Sequence, residues 1–297
     1  MPLRREAARP SLLSADTASD VERHQVDLWR AMEPGARLFS AAGASRAIVQ
    51  LALAGIRHRG PAVGSDDWAS QLARLKLGPA LAAKAYPQAF QRQPATDVPM
   101  NPVDIALVVA RALEACGVRY VLGGSLASSV SGEPRATLDI DLMVDLEGPA
   151  VAHFIAALGG DFYTDADAFG RAIADRSSVN IIHLPTATKV DLFIMGATSI
   201  ESRQMDRRQR VLLTEPPGAS LYVYTPEDIV LQKLRWFRLG GEVSDRQWRD
   251  VLGVFAVQGD RLDRAYLRTS AMEIGVVDLL DRALGDATSA NPGGPDR

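Results

Sequence analysis

The apolar positions of the chain change period near residue 100. Before it, LWRAM, ASRAIVQLALAGIRHR and WASQLARLKLGPALAAKAY carry Leu, Ile and Ala at helical spacing and no alternating run appears. This predicts three to five helices. The stretch QPATDVPMN at 93–101 has two prolines and no apolar periodicity and reads as a linker. Beyond it helices and strands alternate. Asn101, Pro102 and Asp104 have the pattern of a helix start, with the helix continuing through IALVVARALEAC. RYVLGG predicts a short buried strand, SLASSVSG a short helix, and TLDIDLMVDL a strictly alternating strand. GPAVAHFIAALGG is a helix, SVNIIHL and TKVDLFIM are strands, and RVLLT and LYVYT are two further short apolar runs. Thr225 and Asp228 open a helix through DIVLQKLRWFRL. Ser244 with Gln247 predicts a capping box for DRQWRDVLGVFAV, and two more helices cover 262–272 and 275–284.

The expected organisation is a helical N-terminal module of unassigned role at 1–97, an α+β core at 98–224, a helical part at 225–285 and a disordered tail at 286–297. The 297 residues allow one large domain or two modest ones. At 47% hydrophobic and 23% charged, the composition excludes a disordered, collagenous or coiled-coil chain. No unbroken run of about 18 apolar residues exists, so no transmembrane helix and no membrane partner are expected. The N-terminus MPLRREAARPSLL does not read as a signal peptide. The single cysteine, Cys116, excludes an internal disulfide and a multi-cysteine zinc site. His24, His58, His153 and His183 have no ligand spacing. A cytoplasmic location follows as an expectation.

Charge is unevenly spread. Residues 1–97 hold 13 basic and 9 acidic residues, and 98–297 hold 20 and 27. Part of the acidic surplus is concentrated where it can carry chemistry. Asp139 and Asp141 lie two apart on a predicted strand, so both face one side, while Leu138, Ile140 and Leu142 face the other. Asp191 has the same setting between Val190 and Leu192. If those strands are neighbours, three carboxylates converge, repel one another, and make a site for a divalent cation such as Mg²⁺. Gly123, Gly124 and Ser125 sit between a strand and a helix start, where glycine lets backbone approach a ligand and the helix N-terminus offers N–H groups to phosphate. Arg203, Arg207, Arg208 and Arg210 form a basic cluster that suits either RNA phosphate or a solvated helix face. Arg246 and Asp250, four apart, read as a helix ion pair.

The succession GGS, 13 residues, DID, and a later VDL strand resembles the nucleotidyltransferase superfamily of DNA polymerase beta. Together with RATLDID and TPEDIVLQKLRW it is similar to stand-alone bacterial members, among them toxins of the abortive-infection type. The resemblance spans about 101–258. It implies an α+β fold with a mixed sheet flanked by helices, and transfer of a nucleoside monophosphate from an NTP, such as ATP, to an acceptor hydroxyl. By that resemblance Asp139 and Asp141 hold two Mg²⁺ (or Mn²⁺) ions and Asp191 holds one of them and helps deprotonate the acceptor. Gly123, Gly124 and Ser125 grip the triphosphate, and Arg135, Lys189 and Lys233 are candidates to neutralise its charge. The acceptor stays open among RNA such as a tRNA end, a protein and a small molecule. A toxin role, with an antitoxin-like partner, is one implication. A catalytically silent nucleotide- or partner-binding protein of the same fold is the alternative.

Overall fold

Seven strands form one mixed sheet: β1 (Tyr120–Leu122), β2 (Asp139–Val144), β3 (Phe162–Tyr163), β4 (Ser178–His183), β5 (Thr188–Ile194), β6 (Gln209–Leu212) and β7 (Ser220–Val223), in the order β3-β4-β5-β2-β1-β7-β6. This is a computed structural model, and it describes residues 12–13, 17–59, 65–86, 100–213 and 218–290. The protein is α+β, as its alternating pattern predicts. The chain divides into two compact units, one of Leu38–Ala127 and Arg135–Tyr224, the other of Met1–Arg37, Ser128–Pro134 and Thr225–Arg297.

The first unit holds the whole sheet. It also takes in residues 38–86, which the sequence groups with a separate N-terminal module. Its helices include most of α2 (Pro34–Arg59), then α3 (Ser65–Ala85) and α4 (Pro102–Ala115), and the start of α5 (Gly124–Ser131). After these come α6 (Gly148–Leu158), α7 (Ala166–Asp175) and α8 (Ser199–Arg207). The α4 start is the predicted capping box: Asn101 Oδ1 accepts from the Val103 and Asp104 amides, and Asp104 accepts from the Asn101 amide. Val103, Ile105, Val109 and Leu113 of α4 are buried, as are Ile140 and Leu142 of β2 and Val190 and Leu192 of β5. Each such side chain stabilises the fold by about 1.5–3 kcal/mol. β2 and β5 are parallel, so the chain must cross over between them, and α6, β3, α7 and β4 make that connection. The 93–99 part of the expected linker lies outside the described residues.

The second unit packs α1 (Ser19–Ala31), α9 (Pro226–Leu239), α10 (Asp245–Gln258), α11 (Arg264–Glu273) and α12 (Val277–Ala290). Thr225 caps α9 by accepting from the Asp228 amide, and its hydroxyl donates to Asp228 Oδ2 at 2.9 Å. Tyr266 donates to the other oxygen at 2.6 Å, so this fully buried carboxylate is satisfied. Gly132 lies where a Cβ would meet the α10 backbone at 2.8 Å. The Ser244 cap is one-sided: its hydroxyl accepts from the Gln247 amide, but Gln247 Oε1 is buried without a partner.

Three elements escape the sequence pattern. β3 is two residues long; α7 is amphipathic but short, burying Phe169 and Ala172; and α8 buries Ile200, Gln204 and Met205, too few apolar positions to define a period. α12 runs to Ala290, past residue 285 where order was expected to end; small Ala, Thr and Ser side chains continue the helix without an apolar stripe. The stretch Pro34–Ile56 of α2 is, by length and composition, long and apolar enough to cross a membrane, contrary to the sequence expectation. Alanine with Leu, Ile, Val and Phe lifts its mean hydropathy, while Arg, Ser and Gln interrupt the apolar run. Leu38, Ala41, Ala42 and Ser45 within it are buried in the protein.

His183, at the end of β4, is buried beside Phe162, with Nδ1 2.8 Å from the Thr186 hydroxyl. Burial, helped by Lys76 and opposed by Asp161, lowers its pKa from 6.5 to about 4. Between those values the unfolded chain binds a proton that the folded chain refuses, so stability falls as pH is lowered through that window. Urea melts at stepped pH are expected to show this fall and to show it reduced in His183→Asn. An equal slope in the variant would remove His183 as its source.

Candidate active site

Paired positions on parallel strands share a face. The β2–β5 register sets Asp139 opposite Lys189 and Asp141 opposite Asp191, so these four side chains stand together on the face away from Ile140, Leu142, Val190 and Leu192. β4 adds Asn180, opposite Asp191. The expected neighbourhood of the two carboxylate strands is therefore present. Lys189 Nζ lies 2.7 Å from Asp191 Oδ2 and 3.9 Å from Asp139 Oδ1. Asn180 Nδ2 donates to the second Asp191 oxygen. Burial raises the Asp139 carboxyl pKa; Lys189 and Lys76 work against that rise and Asp191 adds to it. Burial alone would lower the Lys189 ammonium, but the hydrogen bond and charge of Asp191, with Asp139 and Asp141, outweigh it and hold its pKa above the ordinary value.

The glycine turn lies against the same carboxylates. The Gly123 amide donates to Asp141 O at 2.8 Å, which carries the β1–β2 pairing one residue past β1. Gly124 then turns the chain into α5 with φ +59°. A Cβ at Gly124 would lie 1.8 Å from Asp141 Oδ2 and 2.6 Å from its Cγ. Only glycine permits both the left-handed backbone and this approach of the carboxylate. Ser125 Oγ accepts from Arg135 Nη2 at 2.8 Å. Gly123, Gly124, Ser125, Arg135, Asp139, Asp141, Lys189 and Asp191 thus form one connected group at one end of β1, β2 and β5.

Lys233 belongs to the other unit, where its buried ammonium lies 2.6 Å from Asp250. Asp250 therefore pairs across to α9, although the helix spacing pointed to Arg246. A buried pair of this kind leaves a costly lone charge when either partner is removed, so Lys233 has a structural task there. Of the basic cluster, Arg208 stacks 4.6 Å from the Tyr222 ring centre and Arg210 donates to Ser220 Oγ at 2.7 Å. Two site residues were not singled out from sequence. Asn180 occupies an outward position of the alternating SVNIIH strand, a weak signal in itself. Lys76 comes from α3 and donates to Thr186 O and Thr188 Oγ1, both at 2.9 Å. Burial lowers its pKa to about 8, against the pull of Asp139. Nothing in its helical sequence marks it.

The donor set, carboxylate oxygens on one face, suits a hard cation. Among the described residues no group of three or more His, Cys, Asp and Glu side chains is already gathered for one ion. Between Asp139 and Asp191 the cation that stands there is the Lys189 ammonium.

No protein-family model matches the chain, and no curated protein matches it. Among solved structures it is similar to the antibiotic-resistance factor ANT(2'')-Ia, at 13% identity and TM-score 0.37, over 65% of this chain and 98% of that one. It is also similar to an antigenic nucleotidyltransferase-like protein from Paracoccidioides brasiliensis, at 16% identity and TM-score 0.34, over 61% of this chain and 91% of that one.

Gly124→Ala is expected to lower unfolding stability by about 1–3 kcal/mol, from the strained φ and the displaced Asp141. Gly148→Ala, at an open helix start, should leave it unchanged to within about 0.5 kcal/mol. Chemical denaturation of the two variants checks this. Equal stabilities would mean that the Gly124–Asp141 approach constrains nothing.

Proposed function

We propose that the protein is a nucleotidyltransferase that moves a nucleoside monophosphate from an NTP to an acceptor hydroxyl in a Mg²⁺-dependent reaction. The observation that carries this reading is the β2–β5 register, which supports a carboxylate face of Asp139, Asp141 and Asp191 directly beside the Gly124 turn. Phosphate binding next to a cation-binding carboxylate face is what phosphoryl-type transfer needs.

The roles follow from position. Gly123 and Gly124 let the triphosphate approach the backbone at the start of α5, where N–H groups and the helix dipole favour anions. Ser125 adds a hydroxyl, and Arg135, bonded to it, adds a cation on the phosphate side. Asp139 and Asp141 are the residues to hold Mg²⁺, two ions in the full site, with Asp191 as the third carboxylate; bound Mg²⁺ supplies Lewis-acid stabilisation of the charge on the attacking and leaving oxygens. The acceptor oxygen bonds to the α-phosphorus as the bond to the bridging oxygen breaks and pyrophosphate departs. Lys189, on the same face and bonded to Asp191, would neutralise triphosphate charge there. Asp191, bonded by Lys189 on one oxygen and by Asn180 on the other, is the carboxylate placed to take the proton of the acceptor hydroxyl. The acceptor classes that fit are RNA, a protein hydroxyl or a small molecule, and a toxin controlled by an antitoxin-like partner is the physiological role we propose with them.

The test is a labelling reaction with each α-labelled NTP, Mg²⁺, and total RNA present or absent, beside the Asp139→Ala/Asp141→Ala variant. Label is expected on RNA, on protein or on a small molecule, with at least about a thousandfold loss in the variant. No transfer from any NTP, with retained nucleotide binding, would favour a catalytically silent binding protein of the same architecture.

A further inference from the structure

The helices that precede the sheet within its unit touch the polar end of the site. Ser45 of α2 and Lys76 of α3 bond at the leading ends of β2 and β5, the two strands that carry the carboxylates, and Tyr86, just after α3, bonds in the β4–β5 turn. Ser45, buried on α2, accepts from the Thr137 amide at 2.9 Å, two residues before Asp139. Lys76 donates to Thr186 O and to Thr188 Oγ1, three residues before Asp191. Tyr86 donates to Leu184 O at 2.8 Å, in the same β4–β5 turn. α3 can reach both ends of that turn because Gly78, at φ +75°, and Pro79 break the helix between Lys76 and Tyr86.

Little apolar contact underlies these bonds. The buried cluster there is Ala73, Ala82 and Ala187, with Leu77 and Tyr86 packed against it. Polar grips therefore fix the turn. An ammonium held away from water costs stability, and a methionine would fill the same space without that cost. Charge at position 76 is therefore not required by packing. The groups it faces are Thr186 and Thr188, which it bonds, and His183 and Asp139, which feel its charge. Thr188 points to the core face of β5 and Lys189 to the carboxylate face, one peptide apart. Any rotation of Thr188 swings Lys189 and, through it, Asp191.

We propose that Lys76 is a positioning residue: by gripping Thr186 and Thr188 it sets where the Lys189 ammonium and the Asp191 carboxylate stand beside Asp139. Residues 38–86 thereby have a task, which is to brace the leading ends of the two carboxylate strands. The geometric part stands by itself, and its effect on rate rests on the nucleotidyl-transfer reading.

The chain has four lysines, Lys76, Lys84, Lys189 and Lys233, so ¹⁵N-lysine labelling gives a sparse ammonium spectrum. In Lys76→Met the Lys189 signal is expected to shift and to exchange with water at least about tenfold faster. Thr188→Val should reproduce the change, and it serves if Lys76→Met does not fold. In the same variants kcat for transfer should fall about 10–100-fold, with KM for the NTP within about twofold. An unmoved Lys189 signal in the folded variants overturns the proposal. So does a moved signal with unchanged kcat in an active protein, or a loss confined to KM. If the parent protein transfers from no NTP while the Lys189 signal still moves, the positioning stands and the nucleotidyl-transfer reading is what fails.

Discussion

The parallel register between β2 and β5 is the constraint on which the site depends. With Asp141 opposite Asp191, two carboxylates on neighbouring strands share a face, and Asp139 follows with Lys189 opposite it. A slip of either strand by one residue would send its two charged side chains into the core, where Ile140, Leu142, Val190 and Leu192 now lie fully buried. The desolvation of that strand's two charged groups and the exposure of its two aliphatic ones both oppose the slip, so the hydrophobic core enforces the arrangement of the charges. The same core that stabilises the sheet concentrates negative charge at its polar face. Lys189 relieves that repulsion by pairing with Asp191 at 2.7 Å and standing 3.9 Å from Asp139.

Around this face the chain is organised by close approach rather than by bulk. Gly124 lets Asp141 stand against the first turn of α5, so the backbone proposed to bind phosphate and the carboxylate pair share one corner of the sheet. Arg135 ties the loop ahead of β2 to Ser125. Ser45, Lys76 and Tyr86 hold the strand ends from the helices that precede the sheet. Each of these links is polar and short, and those from Ser45, Lys76 and Tyr86 join residues 92 to 112 positions apart in the chain. A site built from them is rigid at its base, as preorganised electrostatic catalysis demands.

Most of this was legible in the sequence because the relevant patterns are local. The strict alternation of DIDLMV and KVDLF fixes which side chains face out, and Asn101 with Asp104 announces a helix start that the structure makes in full. The strand neighbourhood that joins Asp141 to Asp191 was an inference from two matching alternations. The parts that could not be read are long-range. Lys76 looks like one more solvated lysine on an amphipathic helix, because its partners Thr186 and Thr188 lie 110 and 112 residues away. Lys233 looked like a phosphate ligand for the same reason, since its buried pairing with Asp250 depends on how α9 meets α10. α8 lacked an apolar period because only three of its residues are buried.

The proposed reaction requires the face of Asp139 and Asp141 beside Gly124 to bind a divalent metal together with a nucleotide. Manganese binding followed by electron paramagnetic resonance, with and without a non-hydrolysable NTP analogue, tests it most directly. The analogue is expected to tighten Mn²⁺ binding, and Asp141→Asn to weaken it at least about tenfold while leaving the fold intact. Mn²⁺ affinity that is indifferent both to the analogue and to Asp141→Asn would contradict it.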